Sequence, residues 1–574
     1  MTTRMLIASL LIAAPAVGGS LTIETVAPAD SVVVLSITGL DRVLERIQSS
    51  GVLDAMGMET FDEELKAQIE DLPSPLSDGL GSMFKSSEPT EVLGSMSIGA
   101  AMWMGEADEA MPEMIFAGWL DMGAQAETIG PLYDQQWEDV RASAQVESEP
   151  VLGRSIDVVV FGDEIDESAR RLWHVREDQW VLLASTQAGM ERLLDVLDGR
   201  QDGESLGESE AWVSMRDMLG SGGAVRLGFF ADGGARAMES TESGMMVGMI
   251  RPSVDAALGK IAAAGVQLDV GQGDQLLTWS GAVWMPEGVG GLLKLLSHNT
   301  PAGDASQWAG PGSVGVMRFN MDFAGIPSWL RDVVKSNPML MGAGQMLDQM
   351  EPQLKKLLDP LGDQIVLTET VTHPITAESL TSLAVVACAN PTALSDALSS
   401  GAPEAGMEPR EFQGNQIWSV DMSSVMPFPM AGMGSDEMAI AVAGQSLFVG
   451  SDRSVEAAMR SLGANRGEPA PWAQRIVDWI AQRQVAAWGG SDLSETLTTV
   501  AKIQSMQMDQ WESDLAQSDP ELWEEIKGEL EAETNSEQYD RLAKLAKRLG
   551  PAGWYATSSD SGFEIRGVVL KAAK

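Results

Sequence analysis

Apolar residues along this chain keep two rhythms. Short runs such as Val32–Leu35, Val158–Phe161, Trp180–Ala184 and the one in LAVVACAN are bounded by Gly, Asp, Ser and Pro and read as buried strands. Between them, apolar positions recur three and four residues apart, the period of one helix face. In the first half the spacing predicts a strand over 31–37, helices to about 70, strands near 95–104 and 114–121, and a helix over 124–134. Strands over 153–160 and 171–184, a helix over 186–198 and a strand over 224–231 follow, then a closing hairpin turning at Gly271-Gln272-Gly273-Asp274. The segments SIDVVVFG and QWVLLAS lie too close in sequence for parallel crossovers, so the sheets are expected to be largely antiparallel. The fold class expected is α+β.

The pattern repeats. Pro28 to Met56 and the stretch from Pro311 are each a short β-rich run followed by a helical period, with Ser31 falling on Ser313. Glu177 to Gly199 resembles the stretch from Ala443, with Gln179 on Gln445 and with Ser185-Thr186 or Ser451-Asp452 at a helix start. The stretch from Glu208 resembles the one from Pro469, placing Trp212 on Trp472 and Val225 on Val485. Both halves close on a strand–turn–strand, from Ala264 and from Ala552, the second turning at Ser559-Asp560-Ser561-Gly562. Four blocks in one order suit a duplication: a first α+β unit over 19–300 and a second over 301–574. The Pro/Gly/Ser-rich stretch Ser297–Ser313 reads as the bridge. The second unit carries a charged helical insertion over about 495–549, whose last part, Arg541–Gly550, reads as a helix stopped by Gly550 and Pro551.

Residues 1–18 have the form of a signal peptide. Arg4 precedes the apolar run Met5–Ala14, and small residues follow at Ala14-Pro15-Ala16 and Ala16-Val17-Gly18. That run is too short to span about 30 Å of hydrocarbon, and no later stretch reaches about 18 apolar residues. The expectation is a periplasmic or extracellular protein with no integral membrane segment after cleavage.

Charge narrows the partners. The chain of 574 residues carries 83 acidic and 38 basic side chains, a net charge of −45. Phosphate backbones and anionic lipid both need a cationic patch, so nucleic acid is excluded as a partner. The single cysteine, Cys388, excludes an internal disulfide and lies in an apolar run as an inert thiol. Three histidines, His174, His298 and His373, stand far apart and outside any HExxH.

Reactive motifs are weak. Ser82-Met83-Phe84-Lys85 has the SxxK spacing, but no KTG or SDN accompanies it. Gly203–Gly207 spells GxSxG in a polar loop with no strand leading in, and Gly310–Gly315 spells GxGxxG ahead of a strand instead of a helix. The acidic cluster Asp163, Glu164, Asp166, Glu167 reads as a solvated turn. Methionines crowd at Met422, Met426, Met430, Met433 and Met438, and again at Met245, Met246 and Met249. They read as adaptable apolar contacts, with Cu(I) binding as the alternative. Trp103, Trp119, Trp180, Trp279 and Trp284 read as core or sheet-face residues, with carbohydrate stacking as the alternative. No catalytic, cofactor-binding or metal-ligating residue is singled out, and no cofactor is expected.

With its leader, its repeated units and the opening Pro28-Ala29-Asp30 before an apolar strand, the chain loosely resembles uncharacterised exported bacterial proteins of a domain-of-unknown-function type. The resemblance implies architecture and no activity. The function expected is a non-enzymatic scaffold or binding protein of the periplasm or cell envelope. Its partner would be an unknown protein, an envelope component or a small ligand. The alternative is a carboxylate-dependent glycan hydrolase, which needs two carboxyls about 5–10 Å apart.

Overall fold

The computed structural model describes residues 21–38, 96–105, 113–161, 170–200, 204–220, 222–239, 244–302, 309–337, 342–376, 379–403, 406–421, 437–462, 469–518 and 546–572, with a few isolated positions besides. Among the described residues helix and strand take nearly equal shares, 40% and 39%, so the fold is mixed α+β. Contacts divide the chain into two compact units. Unit 1 comprises residues 1–251, 261–287 and 562–564, and unit 2 comprises 252–260, 288–561 and 565–574.

Unit 1 contains β1 (Val33–Ile37), β2 (Ser97–Met104), β3 (Met114–Asp121), β4 (Gln145–Val151), β5 (Arg154–Phe161), β6 (Arg170–Glu177), β7 (Trp180–Ala184), β8 (Val225–Phe230), β9 (Ala263–Val270) and β10 (Gln275–Trp284). Every ladder among them is antiparallel, in the order β4-β5-β6-β7-β3-β2-β1-β8-β9-β10. Its helices are α1 (Ile23–Val26), α2 (Ala126–Ser143), α3 (Gln187–Leu197), α4 (Glu210–Leu219), α5 (Ala231–Glu239) and α6 (Gly244–Leu258), the last counted with unit 2 from Pro252 onward.

Successive strand residues point to opposite faces, which sorts the unit 1 sheet into two sides. One side carries Val34, Ala101, Trp119, Leu182, Trp173, Val175 and Val158. They share a core with Ile23 and Val26 of α1, Met190, Leu193 and Leu194 of α3, and Trp212, Met215 and Leu219 of α4. Thr186 caps α3 by accepting the Gly189 N–H at 3.1 Å. Under α4 the cross-strand pair Gly228 and Gly265 brings two backbones against Met215. A β-carbon on Gly265 would lie 2.6 Å from the Met215 sulfur.

Unit 2 opens with α7 (Gly291–Leu295) and β11 (Thr300–Pro301), followed by β12 (Ser313–Asn320), α8 (Ile326–Ser336), α9 (Ala343–Leu358), β13 (Leu361–Val371), β14 (Leu380–Cys388) and α10 (Pro391–Gly401). There follow β15 (Glu408–Phe412), β16 (Asn415–Asp421), β17 (Glu437–Ala443), β18 (Ser446–Ser451), α11 (Asp452–Leu462), α12 (Pro471–Ile480), β19 (Gln484–Val485), β20 (Ala487–Asp492), α13 (Leu493–Ser518), β21 (Leu549–Ser559) and β22 (Gly562–Lys571). Antiparallel ladders run β15-β16-β17-β18-β14-β13-β12-β20-β21. β22 turns back along β21, with the Ala572 N–H donating to Arg548 O at 3.2 Å. The core joins Val316, Val366, Val385, Ile417, Phe448 and Trp488 to α11 through Val455 and Met459, and to α12 through Trp472 and Ile476. Here the cross-strand pair Gly490 and Gly553 lies under Ile476.

Among the described residues β4 and β15 each have one ladder neighbour, β5 and β16. Each carries a proline, Pro150 or Pro409, among glutamates.

Several elements depart from the sequence reading. The strand expected over 171–184 is the hairpin β6–β7, folded at Asp178, whose φ of 47 permits the tight turn. The helix expected over 124–134 runs on to Ser143, and β4, polar and half-exposed, carries no apolar run to betray it. The stretch Ser297–Ser313 is not a free bridge at its start: β11 pairs with β19, and Ala302 and Ala309 are buried. Leu549, Gly550 and Pro551 do not end a helix; they begin β21, with Pro551 opposite Asp492. Ladder register sets Val225 opposite Ile37 and Ala487 opposite Phe319. The signal peptide, the helices to about 70, Ser82–Lys85, Asp163–Glu167 and Met422–Met433 lie outside the described residues.

Candidate functional site

The densest polar chemistry among the described residues is under α2. Trp173 and Val175 of β6 face the unit 1 core, so His174 points to the opposite side, where α2 lies. His174 is 2% exposed. Its Nε2 is hydrogen-bonded to the Tyr133 hydroxyl, and the Trp137 ring lies against it, tilted by 31° with centroids 3.5 Å apart. Across the β5–β6 ladder stands Asp157, the direct partner of His174. One Asp157 oxygen, Oδ2, accepts from Trp137 Nε1 and from Arg141 Nε and Nη2, the latter two at 2.9 and 2.6 Å. The same oxygen lies 4.0 Å from His174 Nδ1, beyond hydrogen-bond reach, and that nitrogen has no partner.

Burial fixes the protonation states. Desolvation lowers the His174 pKa to about 3, with the Arg141 cation adding to the effect. Desolvation also pushes the Tyr133 phenol well above its ordinary range, helped by the Asp134 charge. Tyr133 therefore keeps its proton and donates it to Nε2, which leaves the imidazole N–H on Nδ1, facing Asp157. Phenol, imidazole and carboxylate stand in the order of an acid–base relay. Packing closes it off, and its plain effect is to fasten α2 to the sheet.

Unit 2 holds a second buried group of this kind. Arg318 is 4% exposed, on the inward side of β12 beside Asn320. Its Nη1 donates to Pro301 O at 2.6 Å and to Ala302 O at 2.5 Å. Its Nη2 donates to Thr300 Oγ1 and to Asn320 Oδ1, and Nε donates to the Gln364 amide oxygen at 2.8 Å once that amide is turned oxygen-inward. Asn320 Nδ2 in turn donates to His298 O at 2.6 Å and Val485 O at 3.2 Å, and Trp488 Nε1 donates to Ala302 O at 2.9 Å. A guanidinium with only neutral acceptors pins residues 298–302 to β12 and β20.

Neither cluster was singled out in the sequence. The signals were polar residues at inward strand positions, His174 in RRLWHVRE and Arg318 with Asn320 in VMRFN. The motifs that were weighed resolve differently. Ser205 is buried and caps a short 3-10 turn, its N–H donating to Glu208 Oε2 at 3.4 Å. It stands on no strand-to-helix elbow. Gly312, with φ 82, turns the chain directly into β12, so the GxGxxG letters open a strand. Trp103, Trp119, Trp180 and Trp284 are buried, and Met249 is exposed on α6. His373 Nε2 meets Glu495 Oε1 at 3.0 Å on the surface.

Asp121 bears on hydrolysis. Burial raises its pKa, while the Gly123 N–H that it accepts at 2.8 Å pulls the other way. Its carboxylate is thus spent on a turn. Among the described residues no group of three or more His, Cys, Asp or Glu side chains is placed to hold a metal ion. None of the described helices is long and apolar enough to cross a membrane.

Cys388 is buried in β14, and desolvation lifts its thiol to about 11. The thiolate is the reactive form. Folded protein at pH 8 should resist iodoacetamide for hours and be alkylated once in urea, read by mass spectrometry. Stoichiometric labelling of the folded chain would contradict this burial.

The sheet side that bears His174 is partly open at β8 and β9. On β8 and β9, Leu227 (43% exposed), Phe229 (45%), Val266 (37%) and Leu268 (37%) face solvent, opposite in direction to Gly228 and Gly265 under α4. Val225, Ala264 and Val270 complete these two strands on that face, so the strip carries no charge. No protein-family model, no curated protein and no solved structure matches the chain.

Proposed function

We propose that this is an exported, non-enzymatic binding or scaffold protein of the periplasm or cell envelope, built by internal duplication of an α+β unit. The observation that carries the binding reading is the uncharged strip Leu227, Phe229, Val266 and Leu268, large apolar side chains held in solvent by a hydrogen-bonded sheet. Contiguous exposed apolar surface on a soluble chain marks a contact surface. The buried ionisable groups support the same reading, because His174 and Arg318 are committed to fastening a helix and a chain segment. The partner is a protein, another envelope component or a small ligand that presents an apolar face.

Duplication draws its support from the ladders. Read from β4 and from β15, the two strand orders coincide through nine strands and close on a matching hairpin. Val34 falls on Val316 and Leu182 on Phe448, each pair buried. Trp212 and Trp472 begin equivalent helices, and Gly228–Gly265 and Gly490–Gly553 sit at equivalent rungs beneath them.

The test is a neutral apolar dye. Nile red should brighten with the mature protein, and Leu227→Ser/Phe229→Ser should remove at least half of that signal without lowering the melting temperature. Unchanged dye binding would remove the strip as a contact surface. Turnover on a glycan panel, abolished by a single carboxylate substitution, would overturn the non-enzymatic reading.

A further inference from the structure

We propose that the His174 cluster makes the attachment of α2 a proton-sensitive latch, closed at neutral pH and released as the medium acidifies. The reasoning starts from what a second proton on His174 would meet. Its ring is closed in by Trp137 and by β5 and β7, where its ladder partners are Asp157 and Leu183. The charged and titratable groups facing it are Tyr133, Asp134, Glu138 and Arg141 from α2, Asp157 from β5 and Arg176 from β6 itself. Asp157 is the one anion within reach, and its Oδ2 is already held by Arg141 and Trp137. Tyr133 donates to Nε2, so a proton there reverses that bond: the imidazolium N–H would donate to the phenol oxygen, and the Tyr133 proton would lose its buried acceptor. A charged imidazole thus has no place in the closed cluster unless α2 moves out and admits water.

The sign of the linkage is definite. A histidine whose pKa is depressed in the closed state favours closure fully above the ordinary histidine range and loses that contribution as pH falls. Below about pH 6.5 the open fraction of α2 rises tenfold per unit, down to the depressed value. Protonating unpaired surface carboxylates relieves repulsion in a chain of net charge −45, whereas protonating Asp157, which holds Arg141 and Trp137, would loosen α2 as well. Loosening of α2 between pH 6.5 and 5 that disappears when His174 is replaced is the signature of this histidine. Release uncovers Val159 and Leu183, buried apolar residues on the same sheet face. At the corresponding rung of unit 2, opposite Val449, stands Ile440, so the latch belongs to unit 1.

Hydrogen exchange of the full mature chain, corrected for intrinsic rates, reads the latch directly. Between pH 7.5 and 5 the opening constant of α2 amides should rise about 30-fold, while amides of α3 and α4 change little. Tyr133→Phe/His174→Ile, which installs the apolar side chain of unit 2, should abolish that rise. With only three histidines in the chain, imidazole NMR gives an independent reading on the unaltered protein. The His174 resonance should keep its neutral position to pH 4.5 in the closed form. Exchange of α2 indifferent to pH, an unchanged rise in the double variant, or a His174 that titrates near 6.5 with α2 still closed would each overturn the proposal.

Discussion

Replacing Arg318 by alanine should lower the unfolding free energy of unit 2 by about 3–5 kcal/mol, among the largest losses expected from one side chain here. The cost comes from what stays behind. Thr300, the carbonyls of Pro301 and Ala302, the Asn320 amide oxygen and Gln364 all lose a charged donor inside a packed interior. Arg318→Met restores volume and none of the donors, so it should recover less than half of the loss. Burial pulls the arginine's pKa down while Asp363 opposes it, and a guanidinium still keeps its charge at any ordinary pH. The loss should accordingly be flat from pH 6 to 9. Calorimetry should show the unit 2 transition falling by roughly 10 °C. A shift within experimental error would mean that water replaces the arginine at no cost.

Gly553→Val should be nearly as damaging, and Gly553→Ala should cost about 1–3 kcal/mol. A β-carbon at Gly553 would lie 2.6 Å from Ile476 Cγ2 and 2.7 Å from Cδ1, so α12 must rise or Ile476 must leave its rotamer. The same substitution at Gly265 meets the Met215 sulfur at 2.6 Å. A thioether yields more easily than a β-branched side chain, so Gly265→Ala should cost less. Ile476→Ala combined with Gly553→Ala should be less destabilised than the sum of the two single changes, a coupling that a double-mutant cycle in urea measures directly. Strict additivity would show that helix and glycine do not press on each other.

The sequence patterns reached the scaffold better than the sites. Strong periodicity placed α3 within a residue, and the Ala264-Gly265 and Ala552-Gly553 dipeptides lay in matched blocks before their purpose was visible. What failed was local competition. Asp178 breaks one apolar run into a hairpin, and Gly550-Pro551, ordinary helix stops, are recruited into β21 by its neighbours. The polar clusters were out of reach for a different reason. Tyr133 lies 41 residues from His174, and Trp488 lies 186 residues from the carbonyl it binds, distances that no periodicity spans. The open strip was half legible: Val225, Leu227 and Phe229 make one alternation of this strand apolar, but Arg226 interrupts the other, and which side a helix covers depends on tertiary packing.

Pro150 and Pro409 decide how this protein can meet its surroundings. Each stands in a border strand, where a missing N–H and a ring at fixed φ spoil the template that a foreign strand would copy. Neighbouring glutamates, Glu147 and Glu149 in one case and Glu408 and Glu411 in the other, repel a second copy of the same strongly anionic chain. Polymerisation through these two margins is thereby suppressed. At those places the molecule can persist at high concentration without growing into fibres, and whatever associates with it must approach broadside.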